Sequence, residues 1–282
     1  MRWSPGGESG NVEDRRGSSG LGMVPMGIGG TVVLLVLSLI FGRDFISGSS
    51  DGGAAPQTRG GEVGPIQQSP EEAREVQFVS FVLDTAQATW AKILPEQSSA
   101  TWHDAKLDLY RDGIQTGCGG GQTAMGPFYC PTDQKIYLDL AFFDELRSRF
   151  GAPGDFAQAY VITHELGHHV QHILGIDQQI RRAQQTNPEE ASALSVRLEL
   201  QADCFAGVWG HYSDDEGILE SGDLESGINA AAAVSDDRIQ RQTTGHVNLD
   251  TFTHGSSRQR VDWFKRGFTS GDVKSCNTFV DM

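Results

Sequence analysis

Residues 161–172 read VITHELGHHVQH, placing four histidines and one glutamate within about three helical turns. His164 and His168 are four apart, which on a helix puts one above the other on the same face. Two imidazoles in that arrangement can converge on one zinc at about 2.0–2.1 Å. Glu165 is one step round, close to such a metal but off to the side. That position suits a base acting on water at the metal rather than a ligand. His168 and His172 offer a second register, but it sets His169 where the base belongs, so His169 and His172 are read as supporting or structural. With eight histidines in 282 residues, an accidental HExxH arises in roughly one such chain in a hundred. A hydrogen-bonded histidine cluster is the competing reading.

A catalytic zinc needs a third protein ligand and one position left open. The segment VRLELQADCFAGVW carries Glu199 and Asp203, four apart, among Leu194, Leu198, Ala202, Phe205, Ala206 and Trp209. Two carboxylates in a packed helix are costly unless cations or a metal compensate them. The natural division puts Glu199 on zinc and has Asp203 accept a hydrogen bond from the outer nitrogen of a ligand histidine. Surface pairs with Arg197 or Arg181 are the alternative. His254, in FTHGSSRQR, is the candidate to stabilise an oxyanion as water attacks a peptide carbonyl. Its alternative is a helix cap or a satisfied core histidine.

The elements that must position these groups follow from periodicity. Ala152 to Leu174 is apolar on much of its circumference, which predicts a largely buried helix closed by Gly175. Glu190 to Tyr212 predicts a second helix, Glu216 to Val234 a third, and a last one begins near Ser256. Upstream, Ser69 is a plausible N-cap with Pro70 at the first helical position, and the helix 71–94 ends at Pro95. Phe142 to Phe150 reads as a helix. Lys106 to Tyr110 and Lys135 to Leu140 read as strands, the latter an edge along which an extended peptide could pair.

Formal net charge is −15, which argues against a nucleic-acid partner because phosphate binding needs a basic face. Residues 1–20 form a polar, Gly/Ser-rich segment, and residues 21–42 run without a charge for the length a helix needs to cross a bilayer. The arginines lie well upstream and no small-residue cleavage site follows, which favours an uncleaved transmembrane anchor over a signal peptide. Arginine placement puts the N-terminus in the cytoplasm and the rest outside, in the periplasm or at the cell surface. Residues 43–69 read as a flexible linker and 70–282 as the folded domain. Four cysteines contain no CxxC pair. An extracytoplasmic domain favours disulfides over free thiols. Cys118 and Cys130 flank a Gly-rich turn that a bridge would staple, which leaves Cys204 and Cys276 as the other pair.

The motifs GPFYCP, IYLDL, GDFAQAYVITHELGHHVQ, ELQADCFAGVW and FTHGSSRQRVDWF, with MRW and VEDRRG near the start, resemble the bacterial family of putative neutral zinc metallopeptidases. HExxH followed by a Glu four residues before an Asp is also the gluzincin pattern. The resemblance implies a single N-terminal anchor and a zinc-dependent hydrolase domain. The expectation is therefore an α+β, mainly helical, zincin-like metallopeptidase domain after one transmembrane helix. Zn2+ would be held by His164, His168 and Glu199, with Glu165 and His254 catalytic and Asp203 behind the ligands. The partner is a peptide or protein substrate. A zinc-bearing scaffold without turnover, or a zinc amidohydrolase of non-peptide substrates, is the alternative.

Overall fold

A computed structural model of the chain describes residues 1–17, 66 and 68–279. The anchor assigned to 21–42, and the linker assigned to 43–69 except its last residues, lie outside the described residues. Among the described residues no helix is long and apolar enough to cross a membrane.

Helix α1 (Pro70–Gln97) starts with a capping box, in which Ser69 Oγ accepts from the Glu72 N–H at 3.1 Å and the Glu72 carboxylate accepts from the Ser69 N–H at 2.9 Å. The predicted stop at Pro95 is corrected, because the helix runs two residues further. Proline there forfeits only the bond to the carbonyl of Ala91, an exposed residue whose oxygen water can satisfy.

Four strands form one sheet in the order β1-β2-β6-β5: β1 (Val12–Asp14), β2 (Lys106–Tyr110), β5 (Phe128–Cys130) and β6 (Lys135–Asp139). β1 and β6 run parallel to β2 on either side, and β5 runs antiparallel to β6. The prediction that Lys135 to Leu140 is an edge is therefore corrected, since β6 is interior and β5 is the edge. The sequence concealed this because β6 buries both faces, Ile136 and Leu138 on one and Tyr137 and Asp139 on the other. A hairpin of β3 (Gly113–Thr116) and β4 (Gly119–Gln122) stands beside the sheet, and the Cys118–Cys130 disulfide ties it to β5.

The polar segment 1–20, set apart from the domain in the sequence, is also corrected. Residues 1–17 belong to the fold. The Leu107 N–H donates to Asn11 O and the Arg15 N–H to Leu109 O, each at 2.8 Å. Trp3 packs on Phe78, with ring centroids 5.1 Å apart.

The remaining helices are α2 (Ala141–Ser148), α3 (Asp155–Ile173), α4 (Ile176–Thr186), α5 (Ala191–Asp215), α6 (Asp223–Ala233), α7 (Asp236–Thr243) and α8 (Ser257–Ser270). The predicted helix 216–234 shrinks to α6, because Gly217 and Gly222 turn the chain through the left-handed region at φ 71° and 94°. α4 and α7 went unpredicted, being short, polar and each nearly bare of buried apolar residues. The core lies where α1, α3 and α5 meet. There Trp90 meets Phe205 edge-on at 5.5 Å and Phe156 stacks on Trp209 at 5.8 Å. Helices α5 and α8 cross backbone to backbone. A Cβ built on Gly207 would lie 2.1 Å from the Phe264 carbonyl oxygen, and one on Gly267 would lie 1.9 Å from that of Cys204. The Cys204–Cys276 disulfide pins the tail to the same crossing.

Candidate metal centre

Helix α3 is buried almost all round, so its polar side chains must find partners. At Gly167 it approaches α5 closely, since a Cβ there would lie 3.0 Å from the Ala202 carbonyl oxygen. That approach sets the His164–His168 face against Glu199 and Asp203, one turn apart on α5.

The result is a convergence of donors. His164 Nε2 lies 3.1 Å from Glu199 Oε2, and His168 Nε2 lies 3.5 Å from Glu199 Oε1. The ligand atoms of His164, His168 and Glu199 all lie within 4.8 Å of one another. Each histidine has its outer nitrogen engaged, His164 Nδ1 with Asp203 Oδ1 at 2.9 Å and His168 Nδ1 with Gln171 Oε1 at 2.8 Å. Both acceptors take an N–H, which fixes the tautomers and leaves the Nε2 lone pairs facing inward. Two lone pairs and a carboxylate pointed at one spot repel unless a positive charge sits among them. Burial opposes protonation of His164, but Asp203 and then Glu199 outweigh it and raise the imidazole to about 10. The same demand is met by a divalent cation with both imidazoles neutral, and a two-nitrogen, one-carboxylate donor set suits zinc.

Asp203 is wholly buried. Burial pushes its carboxyl up, but Arg260 and then His164 hold it below the usual carboxylate range. Arg260, only 2% exposed, donates from Nε to Asp203 Oδ2 at 2.8 Å and from Nη2 to Oδ1 at 2.9 Å. Its Nη1 reaches Val234 O at 3.0 Å, and Tyr160 adds a short hydrogen bond from its hydroxyl to Asp203 Oδ1. The surface pairing with Arg197 or Arg181 is not what forms. Arg260 was missed in the sequence, where an arginine in a polar stretch of helix reads as solvated. The only signal was two carboxylates on an apolar face with no cation assigned to them.

Glu165 is 8% exposed, and among the described residues no donor hydrogen-bonds its carboxylate. Burial raises its carboxyl above the ordinary range, with His164 and His168 pulling the other way. It therefore holds a proton more readily than a surface glutamate, as a proton-shuttling base must. His254 lines the same cleft with its side chain half exposed. Its Nδ1 lies 3.1 Å from Asp236 Oδ1, while Asp236 Oδ2 accepts the backbone N–H groups of Thr253, His254 and Gly255 at 2.6–2.9 Å. Asp236, at the start of α7, was also missed, because it acts on a loop 17 to 19 residues away.

His169 and His172 point elsewhere. His169 Nε2 donates to His103 O at 2.8 Å, so its Nδ1 accepts from the Tyr129 hydroxyl at 2.8 Å. Burial lowers this imidazole to about 4. His172 Nδ1 lies 2.9 Å from Asp177 Oδ2, which disposes of the second register. The cleft encloses about 420 Å³. Phe128 and Tyr129 of β5 line it, as do the apolar side chains of Phe142, Phe150 and Ile239.

The Escherichia coli K12 protein named "Uncharacterized protein YpfJ" is 48% identical over 289 residues, covering 99% of each chain. A Mycobacterium bovis protein, "Uncharacterized protein Mb2605", is 42% identical over 207 residues, covering 70% of this chain and 68% of its own; "Uncharacterized protein Rv2575" of Mycobacterium tuberculosis H37Rv matches to the same extent. No solved structure matches. The family described as "Putative neutral zinc metallopeptidase" matches residues 1–279, and the chain belongs to that family.

Proposed function

We propose that this protein hydrolyses peptide bonds at the His164–His168–Glu199 centre. The observation that carries the reading is Glu165, a buried carboxylate with no hydrogen-bond donor among the described residues, beside three converging atoms that could ligate a metal in an open cleft. A purely structural zinc site closes with four protein ligands and has no use for an acid there. When bound, zinc supplies Lewis-acid polarisation of the reacting oxygens. Everything else falls to the chain. Glu165 takes a proton from the attacking water and passes it to the leaving amine. His254, held by Asp236, donates a hydrogen bond to the oxygen that gains charge. Asp203, gripped by Arg260 and Tyr160, keeps the His164 Nε2 lone pair turned inward. The outer edge of β5 offers backbone groups to an extended substrate, and the Phe142–Phe150 wall favours an apolar side chain beside the scissile bond. Two disulfides support an oxidising, extracytoplasmic setting.

The test is a paired assay of zinc content and cleavage of an unstructured protein. Glu165→Gln keeps shape and removes the proton acceptor, so it should stay folded and zinc-loaded while cleavage falls about 10²–10⁴-fold. Equal cleavage by both forms would refute Glu165 as the base. Silence of the zinc-loaded parent across diverse substrates would favour a scaffold.

A further inference from the structure

Tyr129 lines the cleft from β5, yet its hydroxyl is bonded to His169, on the helix that carries His164 and His168. Alternation along the strand accounts for its direction. Phe128 and Cys130 face the β3–β4 hairpin. Phe128 stacks on Tyr137 with ring centroids 5.1 Å apart, a Cβ on Gly121 would lie 2.6 Å from the Phe128 ring, and Cys130 is bridged to Cys118. Tyr129, between them, takes the other face and meets α3. Its 2.8 Å bond to His169 is the single hydrogen bond between β5 and α3 among the described residues. β5 spans three residues and pairs with β6 alone, so its place depends on such side-chain ties.

His169 is fully buried and is itself held from outside β5. Its Nε2 donates to His103 O at 2.8 Å, in the segment leading into β2, and the Trp102 ring meets it edge-on at 5.2 Å. With the ring proton on Nε2, Nδ1 can only accept, so the Tyr129 hydroxyl is the donor. A hydroxyl has one proton, and Tyr129 has none left to give to an oxygen in the cleft. What remains to it is control of where β5 stands. Glu165 and His169 are four apart, so they share a face of α3, one turn from each other. The Tyr129–His169 bond therefore fixes β5 relative to the glutamate as well as to the helix bearing His164 and His168.

We propose that His169 is a positioning residue that sets the register of an extended substrate against the candidate metal centre. His169 holds Tyr129, Tyr129 holds β5, and the outer edge of β5 offers the backbone groups with which the peptide pairs. The inference rests on the reading of this cleft as a peptidase site. A β5 released from α3 must be ordered again each time substrate binds, which weakens binding. Once the peptide is docked the arrangement at the centre is the same, so turnover is kept and the loss falls on KM.

The experiment compares the zinc-loaded full chain with Tyr129→Phe, His169→Gln and His169→Asn. Gln keeps a donor near the Nε2 position and loses the acceptor for Tyr129, whereas Asn keeps an acceptor near the Nδ1 position. Amide hydrogen exchange is followed over Phe128–Cys130, and KM and kcat are measured for cleavage of an unstructured protein. In Tyr129→Phe and His169→Gln, exchange should quicken and KM rise, each by about 5-fold or more, with kcat within about twofold of the parent and zinc content unchanged. His169→Asn should lie nearer the parent than His169→Gln in both readouts. Parent-like exchange in both Tyr129→Phe and His169→Gln would overturn the proposal, with or without measurable catalysis. A fall in kcat at constant KM in Tyr129→Phe would make the hydroxyl a catalytic group and overturn it equally. Silence of the zinc-loaded parent, with the exchange rates as expected, would overturn the peptidase reading and the register that rests on it, but not the hold of His169 on β5.

Discussion

Arg260 offers the sharpest test of how the metal centre is held. Arg260→Met keeps most of the side-chain volume and removes four hydrogen bonds, two to Asp203 and one each to Val234 O and the Tyr160 hydroxyl. Asp203 stays behind, fully buried, with His164 and Tyr160 as its remaining donors. Removing one partner of a buried ion pair costs about 3–5 kcal/mol, because the other charge is left without compensation. For a domain of this size each kcal/mol shifts the melting temperature by about 2–4 °C, so the metal-free protein should melt about 6–20 °C lower. Calorimetry belongs on the chelator-treated forms, since bound zinc adds its own stabilisation. Loss of the arginine also favours a protonated Asp203, a poorer acceptor for the His164 N–H, so zinc affinity should fall about 10–100-fold in competition with a chromophoric chelator. The double variant Arg260→Met with Asp203→Asn removes both charges. It should regain most of the lost melting temperature but none of the zinc affinity. A single variant melting within about 2 °C of the parent, with unchanged zinc affinity, would refute the reasoning.

Elemental analysis of His164→Ala, His168→Ala and Glu199→Ala should show zinc lost in each case, whereas His172→Ala, whose ring faces Asp177, should keep it. Full zinc in Glu199→Ala would remove Glu199 from the ligand set. Asp236→Asn should lower kcat at unchanged zinc content, because His254 loses its fixed orientation. The same substitution carries a pH signature. Burial raises the Asp236 carboxyl, but the His254 hydrogen bond and the loop N–H groups outweigh it, so the folded value lies below the unfolded one. Its stabilisation is therefore complete above the unfolded value of about 3.9 and is lost as pH falls through the lower folded value. The stability gap between parent and Asp236→Asn, read from denaturant melts, should narrow as pH falls below the ordinary carboxylate value of about 3.9. A gap that stays constant over that range would count against the hydrogen-bonded cradle.

The parts of the centre visible in the sequence are those in which one helix does the placing. His164 with His168, and Glu199 with Asp203, are each four apart, so helical geometry alone sets both members on one face. Burial of α3 and α5 was legible for the same reason. Arg260 and Asp236 were not legible, because each acts through a contact across the fold that no local spacing encodes. The strands divided likewise. β2 and β6 announce themselves by alternating apolar residues, Leu107 and Leu109 in one and Ile136 and Leu138 in the other, whereas β1 and β5 are only three residues long, too short to show a period. β1 was the most deceptive, since a short acidic triplet in Gly/Ser-rich surroundings has the composition of a tail.

The crossing of α5 and α8 at Gly207 and Gly267 extends the centre's vulnerability well beyond its own atoms. Arg260 sits seven residues before Gly267 on α8, about 10 Å along the helix axis. A methyl group at either glycine has nowhere to go but into the facing carbonyl, so it must prise the helices apart. α8 then swings as a lever, and the far end of that lever is the guanidinium holding Asp203 beneath His164. A random screen for inactive variants would return both glycines as if they were catalytic, although neither lies in the cleft nor carries a side chain. Inheritance of the candidate metal site thus includes two positions whose contribution is the absence of an atom.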